Sequence, residues 1–184
     1  MSKKNKFYII LKYIINMLRV IFDTNVYGLL IKEKNISVIE KKIVEDKEFV
    51  VYGYQPIRKE LRDTPKSEKL GKLKTRNLLL NLYDELTKGR YLKDSIQINA
   101  LALKFYNSYR SFGGIRNWKE TNIDIDFTIV ACASIYKLDI IISDDSKTML
   151  SKSARKAFRH ITIKEGLWNP NFWKYSDLKM KYDF

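Results

Sequence analysis

Several acidic side chains, far apart along the chain, stand where chemistry can use them. Asp23 closes the run Leu18-Arg19-Val20-Ile21-Phe22, and Asp144 and Asp145 close Asp139-Ile140-Ile141-Ile142-Ser143. Both runs read as fully buried parallel strands, and open α/β sheets set their ligand crevice at the carboxyl ends of such strands. Glu60 lies between Ile57 and Leu61, at the border of a predicted helix's buried stripe, and is therefore turned toward the protein. Asp126 precedes Ile129, Val130 and Ala133 by three, four and seven, which carries a buried face back into the first turn of a helix. Each acid also has a plainer reading. Asp23 and Asp126 are good helix starters, and Glu60 suits a border salt bridge. Asp124 falls on a different face and reads as a cap, while Asp63 sits close to a helix end.

Four carboxylates meeting in one crevice repel one another unless a cation neutralises them. Hard divalent ions with oxygen ligands do so, and Mg²⁺ or Mn²⁺ suits a phosphate substrate. A metal held by Asp23, Glu60, Asp126 and the acids at Asp144-Asp145 activates water and steadies the leaving oxygen.

The composition bears on the partner. The chain has 184 residues, 45% of them hydrophobic, enough for one domain with a proper core. Lys and Arg number 35 against 21 Asp and Glu, a formal net charge of +14. Such a surplus favours a polyanion, most simply nucleic acid, with an anionic membrane surface second. The single cysteine, Cys132, excludes an internal disulfide and a cysteine-built zinc site, and its apolar neighbours make it a small core residue. His160 has no spaced partner, so hydrolysis here rests on carboxylates. A small-molecule phosphohydrolase is disfavoured because residue 25 is Asn, which removes an Asp-x-Asp pair.

Positioning these acids takes alternating strands and helices, which predicts a parallel sheet of four to five strands in a three-layer α/β/α sandwich. Residues 1–16 read as an extension, either an amphipathic helix or a leader with translation starting at Met17; the apolar run is too short to span a bilayer. The main domain covers 17–165. Helices are predicted over Val26–Lys34 and over Ser37–Asp46, the latter opened by a Ser37/Glu40 capping box. Phe49–Tyr52 is the second strand, followed by a helix with Pro56 near its first position. Helices over Ser67–Lys88 and Ser95–Tyr109 form an arm between the second and third strands. A helix over Asp126–Lys137 leads into the triple-isoleucine strand, a basic helix covers Lys147–Phe158, and Ile161-Thr162-Ile163 reads as the last strand. In the aromatic tail, 166–184, Trp168 and Trp173, like Trp118 in the loop before Asp126, read as packing residues ahead of base-stacking ones. Lys147, Lys152, Arg155, Lys156 and Arg159 are candidate RNA contacts, with solvated surface charge as the simpler alternative.

Taken in order, Phe22-Asp23-Thr24-Asn25, the inward Glu60, Asp126-Phe127-Thr128-Ile129-Val130-Ala131-Cys132-Ala133 and Ile141-Ile142-Ser143-Asp144-Asp145 resemble the PIN-domain ribonucleases, a family that includes toxins of the VapC type. The resemblance covers about Met17 to Ile163. It matches the family's four acids with Asp23, Glu60, Asp126 and Asp145, and selects Asp145 over Asp144. Thr24 and Asn25 match its polar pair, and Ser143 its hydroxyl. The resemblance implies a cytoplasmic endoribonuclease dependent on Mg²⁺ or Mn²⁺, often a homodimer, and for toxin-type members a small antitoxin that fills the site. The other class consistent with the residues is a non-catalytic RNA-binding module.

Overall fold

The computed structural model describes residues 17–118 and 123–184. The extension over 1–16 lies outside the described residues, as does the segment 119–122. Along the chain run β1 (Leu18–Phe22), α1 (Thr24–Leu30), α2 (Ile36–Glu45), β2 (Phe49–Tyr54) and α3 (Gln55–Asp63). A hairpin of β3 (Lys69–Leu70) and β4 (Leu73–Lys74) precedes α4 (Thr75–Thr87), β5 (Tyr91–Leu92), α5 (Ile96–Ser111) and α6 (Ile123–Ile135). Then come β6 (Ile140–Ile142), α7 (Lys152–Lys164), β7 (Asn171–Trp173) and α8 (Tyr175–Tyr182).

Five strands form one parallel sheet in the order β5-β2-β1-β6-β7, flanked by helices as a three-layer α/β/α sandwich. Buried β-branched and aromatic residues drive this arrangement: Val20, Ile21 and Phe22 of β1 and Ile141 and Ile142 of β6 are fully enclosed. On one side α4 packs on β2 and on α1, α2 and α3; on the other, α5 packs on α6 and α7. Cys132 is buried in α6, as its apolar surroundings predict.

The strand order fixes where a ligand can sit. From β1 the chain works outward through β2 to β5, then returns to the far side of β1 for β6 and β7. The connections leaving β1 and β6 therefore diverge, and a crevice opens at the carboxyl ends of those two strands.

Some predicted elements differ. Ile161-Thr162-Ile163 is not a strand but the end of α7, where Ile161 and Thr162 continue the buried stripe of Ala154, Ala157 and Phe158 at spacings of three and four. The fifth strand is instead β7, inside the aromatic tail, paired in register with β6 from Ile140↔Asn171 to Ile142↔Trp173. The helix predicted over Ser67–Lys88 starts only at Thr75, because Gly71 at φ +61° turns Lys69–Leu70 back onto Leu73–Lys74. The helix predicted from Lys147 begins at Lys152, with Ser151 as its N-cap. Ser37 lies inside α2, which Asn35 caps without a side-chain hydrogen bond, so no capping box forms there. The two middle helices also carry a short strand between them, β5, which pairs with β2 at the sheet edge.

The tryptophans of the tail and of the loop before α6 make packing contacts, Trp168 while 44% exposed. Trp173 stacks on Phe49 at 6.1 Å, Trp118 meets Tyr106 edge-on at 5.0 Å, and Trp168 donates its Nε1–H to the Leu138 carbonyl at 2.6 Å. At the opposite edge, a Cβ on Gly53 would stand 2.5 Å from the Tyr83 hydroxyl and 2.7 Å from the Tyr91 ring. Gly53→Ala is therefore expected to cost about 1–3 kcal/mol by overpacking, measured as a lower thermal midpoint by circular dichroism.

Candidate acidic crevice

The chain leaves β1 at Asp23, whose backbone N–H still donates to the Ile142 carbonyl of β6 at 2.9 Å. Asp23 is also the N-cap of α1, its Oδ1 accepting from the Thr24 N–H at 2.7 Å. The capping reading and the site reading thus describe the same carboxylate. Its Oδ2 accepts from the Ser143 hydroxyl at 2.7 Å and from the Asn25 side-chain amide. Asn25 also donates to Ser143 Oγ at 3.2 Å and accepts from the Asp144 N–H at 3.0 Å. This network ties the end of β1 to the end of β6, and only 4% of Asp23 is exposed.

Glu60 comes from α3, where Ile57 and Leu61 are buried and Glu60 sits half-buried at the stripe's edge. It accepts a 2.6 Å hydrogen bond from the Thr24 hydroxyl, so its partner is the neighbour of Asp23 and not a surface cation. Asp126 lies in the first turn of α6, beside the fully buried Phe127. Asp145 folds its own loop: its Oδ1 accepts from the backbone N–H groups of Lys147 at 2.9 Å and Thr148 at 3.0 Å, while its N–H donates to Ser143 Oγ at 3.0 Å.

Asp23, Glu60, Asp126 and Asp145 all line one crevice of about 620 Å³, together with Thr24, Asn25 and Asp144. Ser143 stands behind Asp23, fully buried. The acids sense each other. Burial pushes the Asp23 carboxyl up to about 6, against the lowering effect of its bonds from Ser143 and Thr24, with the charges of Glu60 and Asp145 adding to the rise. Burial, then the charges of Asp23, Asp145 and Glu60 and a hydrogen bond with Asp145, push Asp126 up to about 9. Neutral pH therefore leaves this crevice partly protonated, and a cation is what would let its acids ionise together.

Among the described residues, no three His, Cys, Asp or Glu side chains are gathered closely enough to enclose a metal ion as placed. The donor set nonetheless suits a hard divalent cation: carboxylates and neutral oxygens, with neither thiolate nor imidazole in the lining. Mg²⁺ in particular keeps several of its waters and is held through one or two carboxylates, so it needs no tight protein cage.

Two charged crevice residues were not among the candidates read from the sequence: Lys32, just past the end of α1, and Arg116, in the loop after α5. Both are cations in a lining that holds five acids. Neither belongs to a periodic stripe, so only the three-dimensional arrangement reveals them. Of the five candidate RNA contacts, none lines the crevice; Lys152, Arg155, Lys156 and Arg159 line a separate groove, and Lys147 is exposed on the loop that Asp145 organises. Asp63, at the end of α3, is exposed and also outside the crevice.

No protein-family model matches the chain, and neither does any curated protein. Among the described residues, no helix is long and apolar enough to cross a membrane.

Proposed function

We propose that the chain is a divalent-metal-dependent endoribonuclease of the kind its motifs resemble, the PIN-domain ribonucleases. One observation carries the reading. Five acids from four separate segments, Asp23, Glu60, Asp126 and the pair Asp144 and Asp145, line a single crevice at the switch point of the sheet, in a chain whose net charge is +14. An RNA-binding surface alone gains nothing from buried acids, which oppose the phosphates that the basic residues attract.

In this reading Asp23, Glu60, Asp126 and Asp145 hold Mg²⁺ or Mn²⁺. Such an ion, when bound, supplies an activated water and offsets charge on the scissile phosphate. Ser143 and Asn25 hold Asp23 in a fixed orientation, Thr24 does the same for Glu60, and Asp144 anchors Asn25 through its backbone N–H. Arg116 and Lys32, which also line the crevice, pair with phosphate oxygens in the same reading. The same reading puts the protein in the cytoplasm and gives it a small antitoxin and a second copy of itself as partners.

The second reading, a non-catalytic RNA-binding module, draws on the loose spacing of the acids. One assay separates the two. Purified protein incubated with single-stranded RNA is expected to cleave it with Mn²⁺ or Mg²⁺ and to stop when EDTA is added in excess. RNA bound and returned intact in the presence of metal would favour the binding module.

A further inference from the structure

The face of α7 turned from the core carries Lys152, Arg155, Lys156 and Arg159, spaced i, i+3, i+4 and i+7. These four form one stripe along about 10 Å of helix, at roughly 1.5 Å per residue. They line a second groove of about 620 Å³, closed on its other side by Asn169–Phe172 at the start of β7, and no acid is part of its lining.

Two features bear on what this stripe can bind. Some lysines and arginines elsewhere pair with acids, as in Arg58–Asp84 at 2.9 Å, Lys179–Glu33 at 2.8 Å and Lys181–Asp46 at 3.0 Å. Among the described residues none of the four groove cations has such a partner, so their donors face solvent. Secondly, Arg155 is held in place. Its guanidinium lies 5.8 Å over the Phe172 ring, whose other contact is a stack on Phe158 at 5.8 Å. A guanidinium seated on an aromatic ring has already lost much of the freedom it would give up on binding a phosphate.

The groove also lies in line with the crevice. Strands β6 and β7 are parallel, so α7, which connects them, must run back along the sheet from the carboxyl end toward the amino end. Lys152 is thus at the crevice end of the stripe, seven residues after Asp145, and Arg159 is near the far end.

We propose that the α7–β7 groove is a phosphate-backbone site for single-stranded RNA, which holds the strand as it leaves the acidic crevice along the sheet edge. The assignment rests on the nuclease reading for the identity of the strand. The groove's ability to bind is independent of cleavage.

The test uses the full chain in EDTA, a fluorescein-labelled single-stranded RNA, and anisotropy titrations from 50 to 250 mM KCl. The double variant Arg155→Gln, Arg159→Gln changes exposed side chains only, and circular dichroism verifies its fold. Its affinity is expected to fall about tenfold, and the slope of log K against log salt to shrink by about 1.4, from two contacts at about 0.7 each for single strands. The control Lys66→Gln, Lys72→Gln removes two exposed cations, one in the β3–β4 hairpin and one just before it, and is expected to stay within twofold. Unchanged affinity and slope in the groove variant would overturn the proposal, as would equal losses in the control. Tighter binding of a polyglutamate of equal charge would assign the groove to an acidic protein segment instead. If the wild type binds through the groove yet never cleaves RNA with Mn²⁺, the nuclease reading falls and the groove stands.

Discussion

Asp126→Asn is expected to lower metal-dependent RNA cleavage about a thousandfold, the scale of loss when a central member of a catalytic unit is removed. The substitution keeps the side chain's shape and one oxygen, and removes the negative charge that a divalent ion requires. Asp126 is the natural choice because it feels Asp23, Asp145 and Glu60 at once. Asp23→Asn is expected to do the same, with an added structural cost. Its Oδ2 accepts from Ser143 and Asn25, and an amide nitrogen in that place would confront two donors. Asp63→Asn, at the exposed end of α3, serves as the control and is expected to cleave within twofold of wild type. Full activity in Asp126→Asn would remove the acid from the site and, with it, the crevice as the place of chemistry.

The second large effect is on stability, and its sign is opposite to that of ordinary acid denaturation. Asp23 and Asp126 titrate at about 6 and about 9 in the folded chain, against 3.8 for an unperturbed aspartate. A raised carboxyl binds its proton more tightly when folded. Below about pH 4 both states carry the proton and the folded state has no penalty. As pH climbs, the unfolded chain releases its protons first, so stability falls through the window from about 4 to about 6 for Asp23, and from about 4 to about 9 for Asp126. Metal-free wild type is therefore expected to melt lower at pH 9 than at pH 5, by about 5 °C or more, at about 2–4 °C per kcal/mol for a domain of this size. Asp126→Asn in EDTA is expected to melt higher than wild type at pH 8, because the charge it lacks is a buried and repelled one. Millimolar Mn²⁺ is expected to raise the wild-type midpoint at pH 8 and leave that of Asp126→Asn nearly unmoved. A wild-type midpoint that rises from pH 5 to pH 9 in EDTA would mean that the acids do not crowd one another as described.

The site was more legible than the fold's edges, for a physical reason. Asp23 and Asp145 follow runs of β-branched residues with few alternatives to a buried strand, and Asp126 and Glu60 are tied to helical stripes whose buried members are large and apolar. The two outer strands leave no such trace. Tyr91–Leu92 is two residues long and pairs only at Gly53 and Tyr54, and Asn171–Trp173 opens with an exposed asparagine. Both exist because a neighbouring strand offers free backbone groups, not because their own sequence demands extension. Ile161-Thr162-Ile163 shows the converse. Three β-branched residues look like a strand, yet Thr162 returns its hydroxyl to the Phe158 carbonyl at 2.9 Å and Ile163 is 69% exposed, as suits the last turn of a helix whose stripe is already set. Lys32 and Arg116 were out of reach of any pattern, since an element's end and a loop are placed by what surrounds them.

The parallel pairing of β1 with β6 joins residues about 120 positions apart, as the bond from Ser143 to Asp23 records. On the ribosome, the first half of the sheet, β1 with β2 and β5, is made long before its central partner emerges. A nascent chain that has reached only Ser111 carries Asp23 and Glu60 but neither Asp126 nor Asp145. Whatever chemistry the crevice performs is thus withheld until Asp145 has been made, by the order of translation and without any inhibitor.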